Sequence, residues 1–101
     1  MADPAYVLRL EAVEAAGRLT VSPRLQGPPG AALRYEMSSS KSGAAGRSTT
    51  SQGGRVSLDA GGSGALSSLS LGVQPGDRYV VTVKVFDGAR LVAEDALQVP
   101  R

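Results

Sequence analysis

A chain of 101 residues suits one domain, and its 13 Gly and 6 Pro are too many for a helical bundle yet short of the level that marks disorder. The formal charge of +2 comes without any His or Cys, which removes the commonest general base, the thiol nucleophile, disulfides and the usual zinc ligands. Aromatics are confined to Tyr6, Tyr35, Tyr79 and Phe86, so a core built mainly of Val, Leu and Ala must be thin and close-packed, as between two sheets.

Met1-Ala2-Asp3-Pro4 leads straight into strand-like sequence with no signal-peptide pattern, which leaves a cytosolic protein or a mature form as readings. From Tyr6 to Val13, residues 6, 8, 10 and 12 are apolar while Arg9 and Glu11 are charged, the pattern of a half-buried strand. A turn at Gly17 follows. Leu19, Val21 and Leu25 share a parity with Pro23, whose missing N–H favours an edge or a bulge. Residues 26–30 form a loop, after which Leu33, Tyr35 and Met37 oppose Arg34 and Glu36 in a third strand.

Residues 38–46 are small and polar and predict a flexible loop, as does the glycine-rich stretch 60–64. Between them, Arg47 to Gln52 and Arg55 to Leu58 flank Gly53-Gly54 and predict two short strands, or one broken strand, at a sheet edge. Leu66, Leu69 and Leu71 restore order, and Pro75-Gly76-Asp77 is a turn. Tyr79, Val81, Val83 and Val85 line one face of the strongest strand; Arg78, Val80, Thr82 and Lys84 line the other. Asp87-Gly88 signals a two-residue hairpin of type I′, and Leu91 to Val99 returns as the last strand, with a bulge expected near Glu94-Asp95.

Seven to eight short antiparallel strands, with turns every 8 to 12 residues or so, predict an all-β, immunoglobulin-like sandwich. It forms a single domain over residues 1–101, with its ordered core at 5–99. The run from Leu71 to Val81 is similar to the approach to the second-last strand of fibronectin type III domains, which gives Tyr79 a structural role at a corner of the sandwich.

Catalytic chemistry is scarce. No nucleophile elbow and no phosphate-binding loop occurs. Glu94 and Asp95 point to opposite faces of a strand, and a dyad of Ser39 or Ser40 with Lys41 falls in a floppy segment, a poor place to hold a nucleophile against a base. These features predict a binding protein that is not an enzyme and has no metal or other cofactor. A membrane partner is not expected, because no apolar run is long enough to span a bilayer. Nucleic acid is not expected either, because Tyr6, Tyr35 and Tyr79 have inward parity and only Phe86 looks outward.

The stretch from Lys41 to Gly88 carries a further pattern: Ser42 to Gln52, then Leu66-Ser67-Ser68-Leu69-Ser70-Leu71, then Pro75-Gly76-Asp77-Arg78 and Val83 to Gly88. In order and spacing this set resembles the CsgC/CsgH family of curli-associated chaperones, the CsgH branch most closely. The resemblance implies a monomeric periplasmic protein, present here as a mature form, that keeps amyloid-forming curli subunits from nucleating. The enteric CsgC branch carries a Cys-x-Cys motif; Ala31 and Leu33 stand at the matching positions, so inhibition would be non-covalent. A structural or adhesive module of a cell-surface assembly is the alternative reading.

Charge is unevenly placed. Residues 28–57 hold Arg34, Lys41, Arg47 and Arg55 against Glu36 alone, and nine of the eleven basic residues of the chain are Arg. In a sandwich of this kind the third strand lies beside the strand at 78–86. Arg34, Arg78 and Lys84 would then share an outer face, which Arg47 and Arg55 extend at an edge. This basic face is the expected client-binding site, acting by transient contacts steered over a Debye length of about 8–10 Å.

Overall fold

Side chains that alternate every second residue can satisfy both a core and a solvent face only in a pleated sheet. The computed structural model describes residues 4–44 and 46–99, whose regular secondary structure is strand throughout. They are β1 (Val7–Ala15), β2 (Arg18–Gln26), β3 (Ala32–Gly43), β4 (Gly46–Ser57), β5 (Ser63–Ala65), β6 (Leu69–Gly72), β7 (Arg78–Asp87) and β8 (Arg90–Val99). In one sheet β2 pairs with β1 on one side and with β5 and β6 on the other; the second sheet has the order β4-β3-β7-β8. Every pairing is antiparallel.

The sheets share one core. It takes Leu19, Val21 and Leu25 from β2, Leu33, Tyr35 and Met37 from β3, and Val81, Val83 and Val85 from β7. Each buried valine or leucine contributes about 1.5–3 kcal/mol relative to exposure. In β1 the inward parity at Tyr6, Leu8 and Leu10 is as the alternation requires, but residues 11–15 are exposed at the edge of the sheet, although Ala12 and Glu14 pair with buried Val21 and Leu19 of β2.

Several local expectations are corrected. Residues 38–43 are not a loop: they complete β3, where all six pair with β4 and residues 38–42 also pair with β7, so the ladder holds them in the sheet whatever their side chains. β4 is one unbroken strand through Gly53-Gly54, and 63–64 of the expected 60–64 loop open β5. Ala45 lies outside the described residues.

Pro23 is buried in an internal strand, not at an edge or a bulge. β6 pairs with residues 18–21 and β5 with residues 24–26, so the missing N–H of Pro23 falls in the gap between two partners. Its carbonyl on that side accepts the Leu66 N–H at 3.1 Å. The last hairpin turns on Gly88 and Ala89, since Asp87 pairs with Arg90. Only Gly88 has positive φ (62°), the pattern of a type II′ turn instead of I′. The bulge lies at Val92, where Phe86 pairs with Leu91 and Val85 with Ala93. That extra residue resolves the parity of β8 by burying Val92 and Ala93 together.

Two tyrosines tie the ends of the fold together. Tyr79 is 1% exposed, and its hydroxyl donates to the Gly72 carbonyl at the end of β6. Asp77 Oδ2 lies 3.2 Å from the same hydroxyl and 3.4 Å from Lys41 Nζ, so one carboxylate joins β3 to the start of β7. Tyr35 crosses over Gly54 to reach Ser67 Oγ at 2.6 Å; a Cβ on Gly54 would come within 2.8 Å of its hydroxyl. Glycine is needed there so that the ring can lie across the edge strand.

Three outcomes follow from these contacts. Tyr79→Phe leaves the Gly72 carbonyl without its donor and lowers stability by about 1–3 kcal/mol in urea denaturation. Ala16, at φ 53°, occupies a left-handed position in the β1–β2 turn beside Gly17 at 76°. Both central residues of that turn have positive φ, so Ala16→Asn raises stability by about 0.5–1 kcal/mol. The hydrogen bond and charge of Asp77 raise the Lys41 pKa. A proton held more tightly in the folded state stabilises below the unfolded pKa, and that stabilisation is lost as pH rises through the folded pKa. The stability difference between wild type and Lys41→Met is therefore level at neutral pH and shrinks above the ordinary lysine range, as denaturation at stepped pH will read.

Candidate functional site

Registers across β4-β3-β7-β8 define a solvent face row by row, because directly paired residues point to the same side. Arg47, Ser42 and Arg78 form one end row. Thr49, Ser40, Val80 and Gln98 come next, then Ser51, Ser38, Thr82 and Ala96. Gly53, Glu36, Lys84 and Glu94 form the fourth row, and Arg55, Arg34, Phe86 and Leu91 close the other end. All five expected site residues, Arg34, Arg47, Arg55, Arg78 and Lys84, thus fall on one face.

They differ in how their charge is used. The Arg34 guanidinium sits 4.4 Å from the centroid of the Phe86 ring and donates to Glu36 at 2.6 Å. Arg55 stands directly opposite it on β4. Lys84 Nζ lies 3.8 Å from Glu94 across the β7–β8 ladder. Arg47, Arg55 and Arg78 have no carboxylate partner among the described residues. The face therefore has a compensated middle and uncompensated cationic ends. Arg24 on the opposite sheet, by contrast, lies 3.5 Å from Glu11.

The relief is low. A shallow depression of about 350 Å³ runs among Glu36, Ser38, Ser51, Gly53, Thr82 and Lys84, where Gly53 supplies no side chain. A second, of about 410 Å³, opens between the inner side of β4 at Ser48 and Thr50 and the strand β6 at Ser70 to Gly72. Lys41, raised in pKa by Asp77, lines its floor with Tyr79, its Nζ 5.9 Å from the ring centroid. Among the described residues no three Asp or Glu side chains gather closely enough to hold a metal ion.

The position of β4 was harder to read in sequence than its neighbours. Gly53-Gly54 suggests a break, yet inward Val56 sets a parity that carries back through the strand and turns Arg55, Ser51 and Arg47 outward together. Ala31 is half-buried just before β3 and Leu33 is fully buried, so both positions matched to the Cys-x-Cys motif are structural here.

Comparison with known proteins agrees with this architecture. A search of curated protein sequences returns no match. Among solved structures, R. palustris CsgH in solution superposes with a TM-score of 0.71 at 23% identity, covering 91% of this chain and 90% of that one. The E. coli curli protein CsgC, in a selenocysteine form, gives 0.70 at 26% identity, covering 95% and 99%. The family model described as thin aggregative fimbriae synthesis protein matches residues 8–97, nearly the whole described chain, and the chain belongs to this CsgC/CsgH family.

Proposed function

We propose that this protein is a periplasmic chaperone that delays amyloid nucleation of secreted curli subunits through transient, non-covalent contacts on the outer face of β4-β3-β7-β8. The two facing sheets are read in this proposal as an immunoglobulin-like sandwich, acting as a monomer that binds and does not catalyse. Family membership supplies the client class. The observation that carries the mechanism is the set of three arginines, Arg47, Arg55 and Arg78, with no carboxylate partner among the described residues.

Exposed charges a few ångströms apart in water interact by only about 1 kcal/mol, so such a face attracts without holding. That suits an inhibitor of nucleation. A nucleus is rare, and brief encounters with many disordered chains disturb its formation at low occupancy. Arginine adds directed hydrogen bonds to carboxylates and carbonyls that a lysine of the same charge would not. The low-relief Ser, Thr and Gly surface between the ends lets an unstructured chain lie flat.

Reversing Arg47, Arg55 and Arg78 to Glu keeps the fold, since all three are exposed on the solvent face. The variant requires about tenfold more protein for the same delay of thioflavin-T-monitored curli assembly, the low end of what electrostatic steering supplies. Adding salt to the wild type moves it in the same direction. An unchanged delay in the reversed variant would overturn the proposed surface.

A further inference from the structure

β4 is an edge strand that pairs with β3 alone among the described strands, and it is twelve residues long, free of proline, and open on its far side through most of its length. Exposed edges present a row of unpaired N–H and C=O groups and are ordinarily shortened, kinked or covered. This one is neither short nor kinked. Its outward positions are Arg47, Thr49, Ser51, Gly53 and Arg55, so its charge sits only near the two ends. Both end arginines lack a carboxylate partner among the described residues.

From this geometry we infer that β4 is a docking rail for one extended segment of a client, which adds as a fifth strand and carries carboxylates eight residues apart. Arg47 and Arg55 stand eight residues apart on β4, about 26 Å along an extended strand. An incoming strand in register places one carboxylate opposite each arginine on the same face, an attractive cross-strand pair at both ends. Between them it faces Thr49, Ser51 and Gly53, which obstruct nothing. A carboxylate opposite Gly53 would instead meet Glu36 on the next strand, so the intervening outward positions are uncharged. Its other side projects beside exposed Ser48, Thr50 and Gln52, so uncharged polar residues belong there too.

The same charges reject a second copy of this chain. Two β4 edges related by a two-fold axis at Ser51, with outer faces continuous, set Arg47 of each directly opposite Arg55 of the other. Slipping by two residues leaves them diagonal neighbours, still within reach of long side chains. Arg78, in the row of Arg47 and without a carboxylate partner among the described residues, adds to the repulsion. Charge complementarity thus selects a carboxylate-bearing strand over self-pairing.

This inference rests on the proposal that the outer face meets the client, but its test uses no curli subunit. The probes are twelve-residue peptides of Ser, Thr and Gln with two Glu placed eight, seven or four residues apart, titrated into the 15N-labelled full chain. Seven places one carboxylate on the wrong face, and four leaves one arginine unmatched. The eight-spaced peptide binds about fivefold tighter than either control, the gain of one further cross-strand pair at the strong end of its range. Amide shift changes and hydrogen-exchange protection then concentrate in β4. Arg47→Glu/Arg55→Glu reverses the preference, binding the matching Lys peptide and losing the Glu peptide.

Equal binding of all three spacings, or shift changes spread over the face without β4 protection, overturns the rail. So does self-association through β4 at the working concentration. If the rail fails while the wild type still delays subunit assembly, the chaperone reading stands. If the peptides bind as expected while assembly is unaffected, the rail stands and the chaperone reading falls.

Discussion

The ladder between β3 and β7 governs both sides of the molecule at once. Nine residue pairs, from Arg34–Phe86 to Ser42–Arg78, set Tyr35, Met37, Val81, Val83 and Val85 inward. The same pairs set Arg34, Glu36, Arg78 and Lys84 outward. A slip of one residue in β7 would drive Lys84 and Arg78 into the core and expose its buried face, so register is enforced by the cost of burying charge. The surface chemistry of this sheet is thus inherited from the core's demand for alternation. The bulge at Val92 extends the same logic to β8, absorbing one residue so that Glu94 still emerges beside Lys84.

Electrostatic bookkeeping across the face shows why a formal charge of +2 understates its character. Glu36 and Glu94 lie in the fourth row, where Lys84 meets Glu94 and Arg34 reaches Glu36 from the end row, which leaves Arg47 and Arg78 at one end and Arg55 at the other uncompensated. Charge separated in this way produces two local fields at the ends of a neutral strip. Over a Debye length of about 8 Å at physiological salt the ends act almost independently, since the strand holds them much farther apart. Under the proposed function, a long client would be caught at either end and settle by finding the other.

Much of this was legible in the residues alone. The valines at 81, 83 and 85 with Tyr79, and the inward trio Leu33, Tyr35 and Met37, fixed which arginines face solvent, because strand parity is a local property. Less legible was anything that depends on a partner strand. Ser38 to Ser42 lack the β-branched residues that mark strands, and they are held in the sheet by pairing on both flanks. Pro23 sits in an internal strand through a gap between β5 and β6 that no local pattern announces. The ion pairs of Arg34 and Lys84 likewise follow from register, so five cations that look equivalent in sequence divide into compensated and uncompensated members.

Under the proposed function the protein meets amyloid-forming chains without becoming a template for them, and the chemistry of β4 is compatible with an open edge that is kept safe. Fibril growth needs a strand whose face can be sealed dry against another sheet, built from apolar or ladder-forming side chains at low charge. β4 meets the geometric condition through its length but not the chemical one. Thr49 and Ser51 outside, with Ser48, Thr50 and Gln52 exposed inside, leave both faces of its free half wet. Gly53-Gly54 carries no side chains to interdigitate. A chain that pairs with this edge gains backbone hydrogen bonds and two ion pairs, but it presents the next chain with no dry surface and loses its own carboxylates to the arginines. The edge can therefore stay open to one strand while giving growth nothing to propagate on.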